Sequence, residues 1–293
     1  MLPTNNRTSL AGEATVLGVN IMQEIGFIGA GNIAEAIIYG LRQAGGKYNL
    51  RVVNRSNGAR LADLADRYQI IPASLAELVQ SSEVILIAVK PKDVPGVLET
   101  LAGPELSSGL NDQLIISVAA GIQIATLEKS LPGMAVVRAM PNTSSAVLHS
   151  VTGLVRGHEA DEDHVRMAEK IFSSVGQILW LPESRMNALM ALSGSGPAYF
   201  YLFTECLVQA GVELGLREED AEMLSRETLI GVGKMMAESG KSPGRLRQEV
   251  TSPNGTTIEA LQVFWAANLK GIVREAAEAC ARKGQEMEGE YSG

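Results

Sequence analysis

Apolar residues fall in short runs divided by polar turns over the first half of the chain, and at helical spacing over the second. The first run covers 25–28, with Ile25, Phe27 and Ile28. Ile33, Ile37, Ile38 and Leu41 then recur three to four residues apart, the spacing of an amphipathic helix, and Gly45-Gly46 stops it. Strand signals follow at 51–54, 69–71, 83–89, 113–118 and 135–140, with a helix at 58–68 and another opened by a Ser74/Glu77 capping box. The runs 83–89 (EVILIAV) and 113–118 (QLIISV) are apolar almost throughout, as strands covered on both faces are. This alternation predicts a parallel sheet flanked by helices. A strand at 151–155, a charged helix near 161–174 and a strand at 177–181 complete the first half.

From Asn187 onward the pattern is helical. Ser193-Gly194-Ser195-Gly196-Pro197 reads as a turn whose proline opens the next helix. That helix (AYFYLFTECLVQAGVELGL) is apolar on nearly all faces and has to be buried centrally or against another subunit. A second helix is expected at 218–238, a loop at 240–244 and a last helix at 258–287. The chain therefore divides into a polar tail at 1–22, expected to be disordered, an α/β unit at 23–185 and an all-α unit at 186–293. Met22 is a candidate start.

Composition narrows the function. Of 293 residues 46% are hydrophobic and 20% charged, the balance of a globular protein with a sizeable core. A net charge of -8, with no basic stripe, excludes a nucleic-acid binder. No apolar run approaches the roughly 18 residues of a membrane span. Cys206 and Cys280 cannot form a disulfide framework and fit the reducing cytoplasm, Cys206 as a buried inert thiol. His149, His158 and His164 lack metal-ligand spacing, so no metal is expected.

Two stretches carry chemistry. Residues 29–34 (GAGNIA) are G-x-G-x-x-[GA] between a strand and a helix, the context that gives this motif meaning. Gly29 allows the tight turn, Gly31 lets a pyrophosphate approach the backbone, and Ala34 lets helix and strand pack closely. The free N–H groups of the new helix then hold the anion. The second strand ends Asn54-Arg55-Ser56 with no carboxylate; Arg55 and Ser56 suit a ribose 2′-phosphate, favouring NADP over NAD, unless Arg55 is a plain solvated charge. Lys90 ends a buried strand, where it either nears the cofactor or faces solvent. Ala119, Ala120 and Gly121 leave room at another strand end for a flat ring or ribose. The second stretch is 251–257 (TSPNGTT), a turn before a helix opening at Ile258 with Thr as its cap. It is either a capped turn or a carboxylate site built from helix-start N–H groups and two hydroxyls.

Here the chain resembles the pyrroline-5-carboxylate reductases, from about Gln23 to about Met287. The motifs stand as FIGAGNIAEA, AVKPKDV, SVAAGI, VRAMPNT, ALSGSGPAYF and SPNGTTIEAL, in the family's order, and the ALSGSGPAY and SPNGTT pair is specific. The resemblance implies an α/β Rossmann-type N-terminal domain and an all-α C-terminal dimerisation domain. It implies NAD(P)H-dependent reduction of the C=N bond of 1-pyrroline-5-carboxylate to L-proline, by a homodimer that can assemble further. Carried over, Ile28, Gly29, Ala30, Gly31, Asn32 and Ile33 hold the pyrophosphate, Arg55 and Ser56 the ribose. Ala88, Val89, Lys90 and Pro91 line the cofactor, and Ala119, Ala120 and Gly121 approach the nicotinamide. Thr257 bonds the ring nitrogen as the catalytic residue, Gly255 and Thr256 offer N–H groups to the substrate carboxylate, and Ser252 and Glu183 are further substrate-side candidates. Asn254, Ser144 and Asn187 depart from the family pattern, where Gly, Pro and an acid are commoner. Left-handed turn geometry suits Asn254.

A protonated cyclic imine accepts hydride without a strong general acid, which accounts for the lack of a Ser-His-Asp set. A β-hydroxyacid dehydrogenase shares this layout, but the helix after the glycine turn (PAYFYLFTEC) lacks the lysine that chemistry wants. A non-catalytic NADP sensor is the alternative of another class.

Overall fold

The computed structural model describes residues 23–55 and 57–291. The tail at 1–22 and Ser56 lie outside the described residues. Eight strands make one sheet: β1 Gln23–Ile28, β2 Tyr48–Val53, β3 Ile71–Pro72, β4 Val84–Ile87, β5 Leu114–Ser117, β6 Ala135–Met140, β7 Ser150–Arg156 and β8 Gly176–Trp180. Their order is β3-β2-β1-β4-β5-β6-β7-β8. The first six are mutually parallel, β7 runs antiparallel to β6, and β8 is parallel to β7. Between them lie α1 Asn32–Gln43, α2 Gly58–Tyr68, α3 Leu75–Ser81, α4 Val94–Ala102, α5 Ile124–Ser130 and α6 Glu162–Ser173.

Side chains alternate across each strand, so the apolar runs divide into two cores. Ile25, Phe27, Val84, Leu86, Ile116 and Val137 face α1 and α6, meeting Ile37, Ile38, Leu41, Ile171 and Phe172. Ile28, Ile85, Ile87, Ile115 and Val136 face the other way, against Leu78, Leu98 and Leu127 of α3, α4 and α5. Burial on both faces is why these strands read as continuous apolar sequence. The capping box forms as expected: Ser74 Oγ accepts from the Glu77 amide at 3.3 Å, and the Glu77 carboxylate accepts from Ser74 N at 2.8 Å. Such a cap contributes about 1 kcal/mol.

The helical half is α7 Met186–Leu189, α8 Gly196–Glu213, α9 Glu218–Glu238, α10 Pro243–Glu249, α11 Thr256–Ala266 and α12 Leu269–Glu290. Four expectations need correction. Residues 193–197 are not an open turn: α7 runs on through one wide turn, Met190–Gly194, with Ser195 N donating to Met190 O at 2.8 Å. Pro197 lacks an N–H, so the widened turn carries the chain into α8 where regular bonding fails. The 240–244 loop already contains the start of α10, because Pro243 sits at a helix start and Ser242 caps it. The last helix is two helices, broken where Asn268 adopts φ 53°. Cys206 is exposed, since the α8 face carrying it has no cover among the described residues.

Exposure dominates this half. Tyr201, Leu202 and Phe203 of α8 are 60%, 61% and 44% exposed, and Leu224, Ile230, Val263 and Trp265 are also open. An apolar surface this extensive marks an interface.

Asn268→Ala should destabilise the fold by up to about 1 kcal/mol, because alanine lacks the short polar side chain that lets asparagine tolerate left-handed geometry. Asn268→Gly should be nearly neutral. Urea unfolding midpoints check both.

Candidate functional site

The site begins where the parallel strands end together. Ile28 pairs with Val53 on one side and Ile87 on the other. Gly29 N donates to Val53 O at 2.9 Å, and Ala88 N donates to Ile28 O at 2.8 Å, so the glycine turn is pinned between β2 and β4. Gly29 has φ 110°, and a Cβ there would lie 2.6 Å from Ala88 O. Only glycine fits. A Cβ on Gly31 would meet nothing within 4 Å, which leaves the space in front of α1 open. Gly31 is the N-cap, and no side chain caps the helix. An uncapped first turn at the carboxyl edge of a parallel sheet is a ready anion site. These features fit a dinucleotide pyrophosphate.

Beside this turn lies a cavity of about 430 Å³, with Ile28, Gly29, Val53, Asn54, Arg55 and Val89 among its walls. Asp93, Gly96 and Thr100 also line it, from the 3-10 turn and α4; no motif marks them, and only packing of α4 beside the glycine turn reveals them. Lys90 is exposed, Ala88 and Pro91 are half-buried, and Pro91 opens a 3-10 turn ahead of α4. Asn32 is exposed and Ile33 half-buried at the helix start.

The Ala119–Gly121 end also packs against the end of the chain. Ala119 is buried, and Gly121 is buried at φ 77°. A Cβ on Gly121 would lie 3.2 Å from Met287 Cβ and 3.4 Å from Tyr291 of the terminal turn of α12. Gly121 serves that packing, which no local pattern at 119–121 could disclose. Ala120 stays half-exposed.

The second stretch keeps the expected geometry with one correction. Asn254 sits at φ 59°, and Gly255 N donates to Ser252 O at 3.2 Å. The N-cap of α11 is Gly255 and not a threonine; Thr256 and Thr257 already lie in the first turn. The extended Gly255 starts the helix early, leaving these first-turn N–H groups without a side-chain cap. Thr257 is half-exposed.

Glu183 is turned onto Arg138, which is 2% exposed on β6. Arg138 Nη1 also meets Glu288 Oε1 of α12 at 3.0 Å. Gln123 and Asn187 donate to Glu288 Oε2 at 3.2 and 2.8 Å. Burial pushes the Glu183 carboxyl up; Arg138 opposes this and Glu288 adds to it, and the carboxyl ends above the usual range. An amide at 187 gives Glu288 a donor where an acid would repel it. Asn142 Nδ2, after β6, donates to Ser193 O at 3.0 Å, tying the sheet to the helices.

A pinned glycine turn at the sheet's carboxyl edge, followed in the same chain by helices with open apolar faces, is the layout of a two-part dinucleotide-binding protein with an interface surface. Residues 24–121 match the family described as NADP oxidoreductase, coenzyme F420-dependent, and residues 183–287 match pyrroline-5-carboxylate reductase dimerisation. The pyrroline-5-carboxylate reductase of Corynebacterium melassecola is 38% identical over 91% of this chain and 99% of its own length. The solved reductase from Coxiella burnetii is 36% identical with a TM-score of 0.85, covering 91% of this chain and 99% of that one. That of Plasmodium falciparum, solved with NADP bound, is 29% identical with a TM-score of 0.79, covering 91% and 98%. The chain belongs to the pyrroline-5-carboxylate reductase family.

Glu35, in the first turn of α1, is held by Arg60, by Arg67 at 2.7 Å and by the Tyr68 hydroxyl at 3.0 Å. Burial pushes its carboxyl up, but the hydrogen bonds from Arg60 and Tyr68, with the charges of Arg60 and Arg67, reverse this and leave it below the usual range. The folded pKa is depressed, so this stabilisation is full above the ordinary glutamate value of 4.5 and is lost as pH falls through the lower folded value. Glu35→Gln should therefore lower Tm most near neutral pH, with the difference shrinking in acid. Thermal unfolding from about pH 8 down to about pH 3 checks it; a constant difference would remove the carboxylate from the account.

Proposed function

We propose that this chain reduces 1-pyrroline-5-carboxylate to L-proline with NADPH, the last step of proline biosynthesis, as a homodimer in the cytoplasm. The observation that carries this is the presence in one chain of two helix starts with glycine at the N-cap, which no other described α-helix has: α1 behind the pinned glycine turn, and α11 bearing Thr256 and Thr257. The first suits a pyrophosphate and the second a small carboxylate. Arg55 in the cavity wall, with Asn54 where an acid would bind a ribose hydroxyl, supports NADPH over NADH. The relative solved with NADP supports the same choice.

Ile28 to Ile33 cradle the pyrophosphate, Arg55 and Ser56 the 2′-phosphate, and Ala88 to Pro91 with Ala120 border the cofactor. Gly255 and Thr256 give N–H groups to the substrate carboxylate, Ser252 supports the loop, and the Thr257 hydroxyl accepts from the protonated ring nitrogen. Glu183 is one-quarter exposed and borders a second cavity of about 620 Å³, which supports keeping it as a substrate-side candidate. The α11 loop acts at the cofactor edge of the second subunit, brought there as the open faces of α8 and α9 pair; dimers assemble further. The bound cofactor supplies the hydride. The protein's share is alignment of the imine carbon, which lowers a barrier by roughly 7–11 kcal/mol at best.

Loss of NADPH absorbance on adding pyrroline-5-carboxylate tests the activity; tight NADPH binding with no turnover would favour a sensor. Thr257→Ala should cut kcat/KM for the imine by about ten-fold or more, the worth of one hydrogen bond to a charged group, and leave the NADPH Kd unchanged. A fully active variant would remove Thr257 from the mechanism.

A further inference from the structure

Helices α1 and α2 are bolted together at both ends by arginines. At the far end, Arg42 of α1 donates from Nε to Tyr68 O at 2.8 Å, from Nη1 to Tyr48 O at 2.8 Å and from Nη2 to Gln69 O at 3.1 Å. These carbonyls lie at the end of α2 and the start of β2, where a loose end would otherwise fray. At the near end, Arg60 of α2 donates from Nε to Ala30 O at 3.2 Å and from Nη1 to Asp63 at 3.0 Å, while Nη2 holds Glu35. Its own amide donates to Asn57 Oδ1 at 3.0 Å, which caps α2.

Ala30 is the middle residue of the glycine turn, and Asn57 belongs to the loop that also carries Arg55. The Arg60 side chain thus ties α2 to the segment facing the pyrophosphate, while its backbone amide, which any residue but proline supplies, holds the segment facing the ribose. With Arg67 and the Tyr68 hydroxyl it also holds Glu35, and its charge offsets that of a carboxylate that would oppose an anion at the start of α1. We propose that Arg60 is a positioning residue for the dinucleotide: it fixes the Ala30 carbonyl and the Glu35 carboxylate, and so sets cofactor affinity without touching the cofactor. This rests on the glycine turn being the dinucleotide site.

The two cofactors share the pyrophosphate and differ only in the 2′-phosphate. A positioning role therefore weakens both equally, whereas direct contact with the 2′-phosphate weakens NADPH alone. The test is Kd for NADPH and for NADH, by fluorescence titration of the full-length protein without imine, alongside Tm. Arg60→Gln should raise both Kd values by the same factor, on the order of ten-fold, the worth of a charge-assisted hydrogen bond. Arg60→Lys keeps the charge beside Glu35 and with it the fold, but one ammonium cannot span Ala30 O, Asp63 and Glu35 together. It should recover only part of the loss, and it carries the test alone if the glutamine variant does not fold. Unchanged Kd values beside a lowered Tm would make Arg60 merely structural and overturn the proposal. A loss confined to NADPH would overturn it by making Arg60 a phosphate ligand. A native protein that binds neither cofactor would overturn the site and the proposal together. Because no imine is present, failure of the reductase reading leaves this result standing.

Discussion

The carboxyl end of β1 cannot accept a side chain. Gly29 is hydrogen-bonded to β2, its missing Cβ is excluded by the Ala88 carbonyl following β4, and its φ of 110° is open only to glycine. That clamp fixes where α1 begins, and hence where its unpaired N–H groups point. The adjoining cavity, the Arg55 wall and the α2 anchor are arranged around that one helix start. The same physics recurs at α11, where Gly255 in extended geometry and Asn254 in left-handed geometry deliver a second uncapped start.

The helical half obeys a different constraint. Its helices are apolar on more faces than one chain can cover, and α8 stays open along Tyr201, Leu202 and Phe203. Such a surface is stable in water only when covered. Membership of a family with a dimerisation region gives that cover a source. The junction between the halves joins an apolar cluster of Val155, Met186 and Leu189 to polar ties: Asn142 reaches Ser193, and Arg138 sits between Glu183 and Glu288. A buried guanidinium flanked by two carboxylates contributes little net stability, because desolvation offsets attraction, but leaving any member unpaired is costly. It therefore fixes how the end of α12 docks more than how tightly.

What could be read from residue order was whatever depends on neighbours in the chain. The strands at 83–89 and 113–118, the Ser74 cap, the glycine turn and the bounds of α2 and α9 follow from spacing and local hydrogen bonding. The break at Asn268 and the helix at Pro243 were missed because Asn is ordinary inside a helical pattern and Pro-Gly reads as a stop. The packing of Gly121 was not legible, since small residues at a strand end look alike whether they make room for a ring or for a helix; its neighbour, Met287, is more than half the chain away. Nothing local to Arg138 or Arg60 announces their partners either.

The sequence by itself determined the parallel α/β architecture, the glycine turn before the first helix and the family, because each is written in short-range periodicity and in compact motifs. Only the tertiary structure decided which glycine meets a neighbour, which arginine bolts the cofactor turn, and which faces stay open for a second copy. Those depend on side chains far apart in the chain meeting in space, and a linear pattern carries no distance between them.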